Sequence, residues 1–517
     1  MTAHRKLTGL VLSLLLFAAS VFAESSSSLA SSAPVTPDAS PEAVALLKFL
    51  RSISGKYTLI GQHNFPSVAA RNTDFAAEYT GRMPAVWTSD FGFAEPGDFD
   101  SYQARSIVVA EAIRQHKQGA IVSLCWHAVP PTADEPVTFR PLPGADPNQL
   151  KSVQGQLTDA QFKDVLTPGT ALHEKWEAQV DAIAVFLKQL QDAHVPVLWR
   201  PYHEMNGDWF WWGGRTEGEF TTAALYRQIF DRLVNHHHLK NLLWIWSVDR
   251  PNKPEMAHEK YFPGIQYLDM LGLDVYGNDF AQAYYDSLVK LSQGKPLALA
   301  EVGNPPAPAI MDAQPLWTYY AVWAGMVRGT TRRGYIEAFS ANRMLALHDP
   351  AYAKASADYR KEIGLRALEP QAALGDFSGA WKLNEGLCTF GEFGATRVPV
   401  KLVVKRKGES LDVRSTVPRE YADDEVLDAT YRLDGTEAKN ELFKSERTTI
   451  GKVTADGSVI DLESVTALSF GPPGTKLKSH ETWSLTEKGD RLVMSIVSDS
   501  WRAGEKRIWQ TLVFDRE

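Results

Sequence analysis

Two glutamates stand out by their neighbours. Glu204 lies in the run WRPYHEMNGDWFWWG (199–213), where Arg200, His203 and Asn206 offer hydrogen-bond donors and Trp209, Phe210, Trp211 and Trp212 are successive. Glu301 ends the apolar segment LALAEVG, which brings a carboxylate to a strand end just before Gly303. A pair of carboxylates suits glycosidic cleavage. One, kept neutral by apolar surroundings and a like-charged neighbour, donates a proton. The other stays ionised and attacks the anomeric carbon. Carboxyl groups about 5–5.5 Å apart retain configuration, and roughly 6.5–9.5 Å leaves room for an inverting water; the sequence holds no measure of that gap. The indoles fit the same chemistry, since a sugar ring has an apolar C–H face to stack and a hydroxyl edge to bond.

The elements that must position these groups alternate along the chain. Short apolar runs fall at 58–62, 84–90, 120–127, 195–203, 242–248, 267–276, 296–301 and 320–325. Most are apolar on both faces, as parallel strands covered on both sides are. Amphipathic stretches separate them at 101–118, 171–192, 219–238 and 280–292, with 333–347 after the last. Eight such units predict an α/β fold, a (β/α)8 TIM barrel over 41–350. A doubly wound sheet would need fewer strands and a reversal of strand order. Barrel enzymes carry their chemistry at the C-terminal ends of strands. Those ends hold His63, Asp90, Trp126, His127, His203, Glu204, Asp249, Asp274, Tyr276, Glu301 and Trp323.

Residues 199–213, with Glu301 roughly a hundred positions later, resemble glycoside hydrolase family 26. GQHN at 61–64, CWH at 125–127 and the Tyr276 region extend the likeness over roughly 41–350. The resemblance implies a barrel of the large retaining clan and an endo-acting β-mannanase cutting β-1,4 bonds in mannan or galactomannan. It implies Glu204 as acid/base and Glu301 as nucleophile. His203 would contact the sugar near its 2-hydroxyl, and Tyr276 would donate to Glu301. His127 and Trp126 would line the −1 side, Trp209 the area beside the acid/base and Trp323 the −1 floor. His63, Asp90, Arg200 and Trp212 complete the expected substrate-binding set. Alternatives are a related glycanase on β-1,3-xylan or mixed-linkage β-glucan, an exo-acting mannobiose-releasing enzyme, and a carbohydrate-binding protein without activity. No cofactor or metal is expected. The His236-His237-His238 tract reads as the end of a helix, and Asp249, Asp269 and Asp274 lack ligand spacing.

The remainder sets the context. The 517 residues exceed one ordinary core. A net charge of −8 without a basic block argues against nucleic acid and anionic membrane as partners. The resemblance implies a plant cell-wall β-mannan or related polysaccharide as the partner, and a monomer is expected. Cys125 and Cys388 match no zinc, redox or disulfide spacing. His4, Arg5 and Lys6 before the apolar run 10–21, and small residues ending at Ala23, read as a signal peptide over 1–23. This predicts a secreted or periplasmic protein without membrane insertion. Residues 24–40, rich in Ser, Ala and Pro, read as a mobile lead-in. The segment 128–170 is a long insertion after the third strand, able to narrow the cleft or to form one of its walls. A helical extension and linker (351–376) lead to a period-two pattern over 377–517, with strands at 397–405, 409–415, 426–432, 458–467, 479–485, 491–498 and 505–514. The turn signals KGES, LDGT, ADGS and EKGD predict hairpins in an antiparallel barrel or sandwich. This part resembles lipocalin-like β domains of secreted bacterial proteins; its Trp381, Trp483, Trp501 and Trp509 read as caps on a core.

Overall fold

The computed structural model describes residues 33–517 apart from 81, 93–103, 147, 329–334, 336–342, 369–375, 392–397, 421, 443, 454–458, 470–473, 487–488 and 500–506. The expected signal peptide over 1–23, Trp501, residues 369–375 of the expected extension and linker, and most of 333–347 lie outside the described residues. Among the described residues, no helix is long and apolar enough to cross a membrane.

Eight parallel strands close into a barrel: β1 (Thr58–Asn64), β2 (Val86–Asp90), β3 (Ile121–Trp126), β4 (Val197–Pro201), β5 (Leu242–Asp249), β6 (Met270–Val275), β7 (Leu297–Val302) and β8 (Trp317–Val322). Closure is direct, because β1 pairs with both β2 and β8. Every residue of all eight strands is buried, which is why the segments read as apolar runs without alternation. The helix α5 (Ala171–Asp192) shows how the outer layer is held. Thr170 caps it by accepting from the His173 N–H, and Trp176, Val180, Ile183, Leu187 and Leu190 form its buried stripe.

Two expectations shift. The eighth strand begins at Trp317, three residues before the predicted 320–325, because Thr58 Oγ1 donates to the Trp317 carbonyl at 2.7 Å and Leu59 pairs with Tyr319. Trp323 therefore falls just past the strand, at the mouth. Residues 33–40, expected within a mobile lead-in, are tied to the opposite end of the barrel. The Val35 N–H donates to Asp269 at 2.8 Å, the Ser40 N–H donates to the Lys240 carbonyl at 2.7 Å, and Thr36 is buried.

The C-terminal part is a single ten-stranded antiparallel sheet, so the barrel alternative holds over the sandwich. Its edge strands are β13 (Glu425–Arg432) and β14 (Asp434–Leu442). LDGT, predicted as a hairpin turn, joins these two without a ladder between them. The Asn440 amide instead bridges the gap, donating to the Thr430 carbonyl at 3.0 Å and accepting from the Thr430 N–H at 2.8 Å. Three strands escaped the period-two pattern: β10 (Gly379–Leu383), β14 and β15 (Ser445–Val453). In β15 the inward positions are Ser445, Arg447, Thr449 and Gly451, and Arg447 forms a buried ion pair with Glu481, so no apolar alternation marks it. Trp381 and Trp483 are core residues as expected, whereas Trp509 is 38% exposed. Neither cysteine is in a disulfide.

Candidate active site

The chain turns sharply after β4. Tyr202 and Glu204 both have left-handed backbones, at φ 50° and 51°. Side chains rarely adopt this region, and such strain persists where surrounding packing enforces it. Tyr202 is buried and its hydroxyl accepts from Trp176 Nε1 at 2.9 Å, which anchors the turn to α5. Glu204 then points into the mouth. Trp209 Nε1 donates to its Oε2 at 2.8 Å. Gly207 makes that contact possible, since a Cβ there would stand 2.2 Å from the Trp209 ring.

The aromatic run divides. Trp209 is half-buried, while Phe210, Trp211 and Trp212 are 3%, 0% and 0% exposed. Phe210 and Trp212 stack with centroids 4.4 Å apart, Trp211 donates to the Ala128 carbonyl at 2.8 Å, and Trp212 donates to the His203 carbonyl at 2.9 Å. Trp212 therefore holds His203 and faces no sugar, which corrects its expected role. The 128–170 insertion locks this loop from outside. The Gly155 N–H donates to the Trp209 carbonyl at 2.8 Å, and Gln156 Nε2 donates to the Asp208 and Phe210 carbonyls at 2.9 and 2.8 Å. Arg215 donates to Gln156 Oε1 at 2.5 Å. The insertion is a buttress for the loop beside Glu204.

Glu301, the penultimate residue of β7, receives donors on both oxygens. Arg200 Nη2 donates to Oε2 at 2.7 Å and the Tyr276 hydroxyl donates to Oε1. The other arm of Arg200, Nη1, donates to Asp274 Oδ2 at 2.7 Å, and Ser247 Oγ donates to Asp274 Oδ1 at 2.8 Å. Strand register sets this up: Asp249 pairs with Asp274, and Asp274 with Glu301, so three carboxylates stand level on β5, β6 and β7. Gly303 leaves space for the Tyr276 ring, whose Cδ1 would lie 3.0 Å from a Cβ at that position. One carboxylate oxygen from each of Glu204, Asp274 and Glu301 lies within 4.8 Å of the other two.

One guanidinium lies between Asp274 and Glu301, and among the described residues no cation pairs with Glu204. Burial and the charges of Glu301, Asp274 and Asp249 push Glu204 well above the usual carboxylate range; the Trp209 N–H opposes this. Burial opposes the charge of Arg200, yet Asp274 and Glu301 hold its pKa above the usual value. A second group surrounds Trp323. Asp90 accepts from the His127 N–H at 3.1 Å and from its Nδ1, which orients the imidazole. Burial would raise Asp90, but His127 and the Gly92 N–H keep it below the ordinary range. His203 packs edge-on to His127 at 4.4 Å. Burial, with His127 and Arg200 nearby, holds His203 well below the usual histidine pKa.

His63 stacks on Trp323 with centroids 3.9 Å apart and is 2% exposed. Burial lowers its pKa to about 3, so it is a neutral support behind the Trp323 platform. Arg200 and Trp126, each 3% exposed, likewise lie behind the groups that face the mouth. The half-buried rings of the site are Trp209, Tyr276 and Trp323. Asn206, read from the sequence as a donor near Glu204, bonds the main chain of Asp249 and the Met256 carbonyl. Asp269 accepts main-chain N–H groups at the opposite end of the barrel from Asp249 and Asp274. His237 Nε2 lies 2.6 Å from Asp181 Oδ1, and Arg232 covers both Asp181 oxygens. The sequence reading placed Asp249 at a strand end without giving it a part in the site, and it missed Ser247 as the partner of Asp274; their alternation at the end of SVD (247–249) was the available signal.

The Trp209–Glu204 bond predicts a pH effect. The indole N–H stabilises the carboxylate form, so Trp209→Phe raises the Glu204 pKa further. If Glu204 supplies the catalytic proton, the alkaline limb of kcat against pH then moves to higher pH. A limb that stays in place or moves down contradicts the coupling.

Residues 35–344 match the family model described as glycosyl hydrolase family 26. A mannan endo-1,4-β-mannosidase of Thermothelomyces thermophilus is 36% identical over 295 residues, which is 56% of this chain and 56% of that protein. Mannan endo-1,4-β-mannosidase A of Piromyces sp is 29% identical over 300 residues, covering 56% of this chain and 45% of its own length. The chain thus spans about half the length of the curated relatives it matches. Among solved structures, GH26A from a Muricauda species aligns at a TM-score of 0.56 with 39% identity, over 60% of this chain and 98% of that one. A β-(1,4)-mannanase of Podospora anserina aligns at 0.51 with 29% identity, over 63% and 69% respectively.

Proposed function

Because this chain belongs to glycosyl hydrolase family 26, we propose that it hydrolyses internal β-1,4-mannosidic bonds of mannan or galactomannan with retention of configuration. The carrying observation is the unlike pair at one mouth. One carboxylate oxygen of Glu204 lies within 4.8 Å of one of Glu301, a closeness that supports the short spacing of a retaining pair, about 5–5.5 Å, over the roughly 6.5–9.5 Å that an inverting water needs. Glu301, held by Arg200 and Tyr276, is aimed as the nucleophile. Its oxygen bonds the anomeric carbon while the glycosidic C–O bond breaks, and Glu204 gives its proton to the departing oxygen. Glu204, then ionised, takes a proton from water, which attacks the same carbon and releases Glu301. Trp323 forms the floor under the reacting sugar with His127 and His203 beside it, and Trp209 stacks the neighbouring unit. The names of the curated relatives favour mannan over other β-glycans.

Reducing-sugar release from galactomannan, β-1,3-xylan and lichenan tests the substrate, with mannan expected to give the highest rate. A fast fall in galactomannan viscosity with mixed early products supports internal cutting. Activity on xylan or lichenan with none on mannan overturns the substrate, and a single disaccharide with slow viscosity loss overturns the endo mode. The same reading places the enzyme outside the cytoplasm, supported by the charged-then-apolar pattern of residues 1–23. Sequencing of the exported protein is expected to begin at Glu24; an uncleaved N-terminus contradicts it.

A further inference from the structure

Asp249 is a buried carboxylate at the mouth that the double displacement does not use. It ends β5, in register with Asp274 and, through it, with Glu301. Two residues earlier Ser247 points inward to Asp274, and strand alternation puts Asp249 on the same face, one step nearer the opening. Asn206 fixes this level of the strand by bonding the Asp249 main chain on both sides, at 2.7 Å each. Asp249 is 5% exposed. Unlike Asp274 and Glu301, it has no side-chain donor within hydrogen-bond distance among the described residues. Its nearest cation is Arg250 Nε at 3.9 Å, and that side chain is turned to the Tyr276 carbonyl. The Arg250 main-chain N–H donates to Asp249, but a carboxylate at low exposure without a side-chain donor still has lone pairs unmet, which is unfavourable. A ligand rich in hydroxyl donors relieves that deficit.

We propose that Asp249 is a substrate-binding residue, accepting a hydrogen bond from a hydroxyl of the sugar seated on the β5 side of the mouth. This rests on the glycan-hydrolase reading above and adds a specificity contact to it. The titratable and charged groups facing Asp249 include Arg250 on its own loop, Glu204 after β4, Asp274 on β6, Glu301 on β7, and Asp279 and Tyr284 after β6, while His258 bonds the Asp249 main chain. Burial, opposed by Arg250 and reinforced by Glu301 and Asp279, raises its pKa to about 7. The ionised form accepts the stronger, charge-assisted hydrogen bond. Binding therefore tightens as pH rises through that region, whereas turnover, which needs Glu204 protonated, weakens on the alkaline side. The two titrations fall on different kinetic parameters.

The experiment compares wild type, Asp249→Asn and Asp249→Ala on soluble galactomannan from acid to alkaline pH. Asp249→Ala is expected to raise KM about tenfold or more, the usual worth of a hydrogen bond to a charged group, with kcat within about threefold. The wild-type KM falls as pH rises through about 7, and in Asp249→Asn, which keeps the shape, KM no longer follows pH. Unchanged KM in both variants, with only the alkaline limb of kcat displaced downward, overturns the proposal. Asp249 is then only a negative neighbour of Glu204. A wild type that cleaves no β-glycan sinks the underlying reading, and is distinct from an active enzyme whose KM ignores Asp249.

Discussion

Glu301→Ala is expected to end turnover on every substrate, with kcat lower on the order of 10⁵-fold, because no other group can form the covalent bond. Glu204→Ala is expected to lose about 10²–10⁴-fold on mannan and far less on an aryl mannoside whose leaving group needs no proton. The asymmetry follows from the surroundings. Glu301 has a donor on each oxygen, one arm of the Arg200 guanidinium and the Tyr276 hydroxyl, so its lone pairs are steered at one point. Burial and three acidic neighbours favour the protonated form of Glu204, against a single indole N–H that favours the ionised one. Azide sharpens the result. It should restore Glu204→Ala with a β-mannosyl azide, entering from the face that water uses. It should restore Glu301→Ala with an α-mannosyl azide, replacing the nucleophile directly. Equal losses on both substrate types, or azide products of the opposite configuration, would undo the assignment.

Much of this site was readable as residue types at strand ends, because a barrel converts an apolar run followed by a polar residue into a side chain at the mouth. Glu204, Glu301, Tyr276 and His127 were found this way, and all stand at one mouth. The hidden part was what lies behind what. WFWW reads as four equal rings, yet Phe210, Trp211 and Trp212 are buried. Their exposure depends on the 128–170 insertion, which bonds the loop through Gly155 and Gln156. No periodicity in either segment announces that contact. His63 was legible as a strand-end polar residue, but its place under Trp323 depends on β8 starting at Trp317. In the second domain, β15 was obscured because its inward Arg447 is matched by Glu481 from a strand about thirty residues away. A buried ion pair erases the apolar alternation by which single strands are recognised.

Arg200 carries the other large effect. It is the one cation hydrogen-bonded to the mouth carboxylates among the described residues, and its fork is divided, one arm to Asp274 and one to Glu301, each at 2.7 Å. Lysine keeps the charge but offers a single point on a flexible stem, so it cannot hold both carboxylates in place at once. Arg200→Lys is therefore expected to lower kcat by about 10²–10³, the range seen when a preorganised electrostatic group is lost. KM should hardly move, because Arg200 is 3% exposed and lies behind the mouth. Arg200→Met goes further and leaves Asp274 and Glu301 buried without a cation. Breaking a buried pair from one side costs about 3–5 kcal/mol, so the barrel should melt well below wild type. Asp274→Asn in the Met background removes part of that unpaired charge. It should recover stability without recovering activity, since the aim of Glu301 is still lost. An unchanged kcat in Arg200→Lys, with only the melting temperature lowered, would mean the guanidinium holds the barrel together but does not set the nucleophile in line.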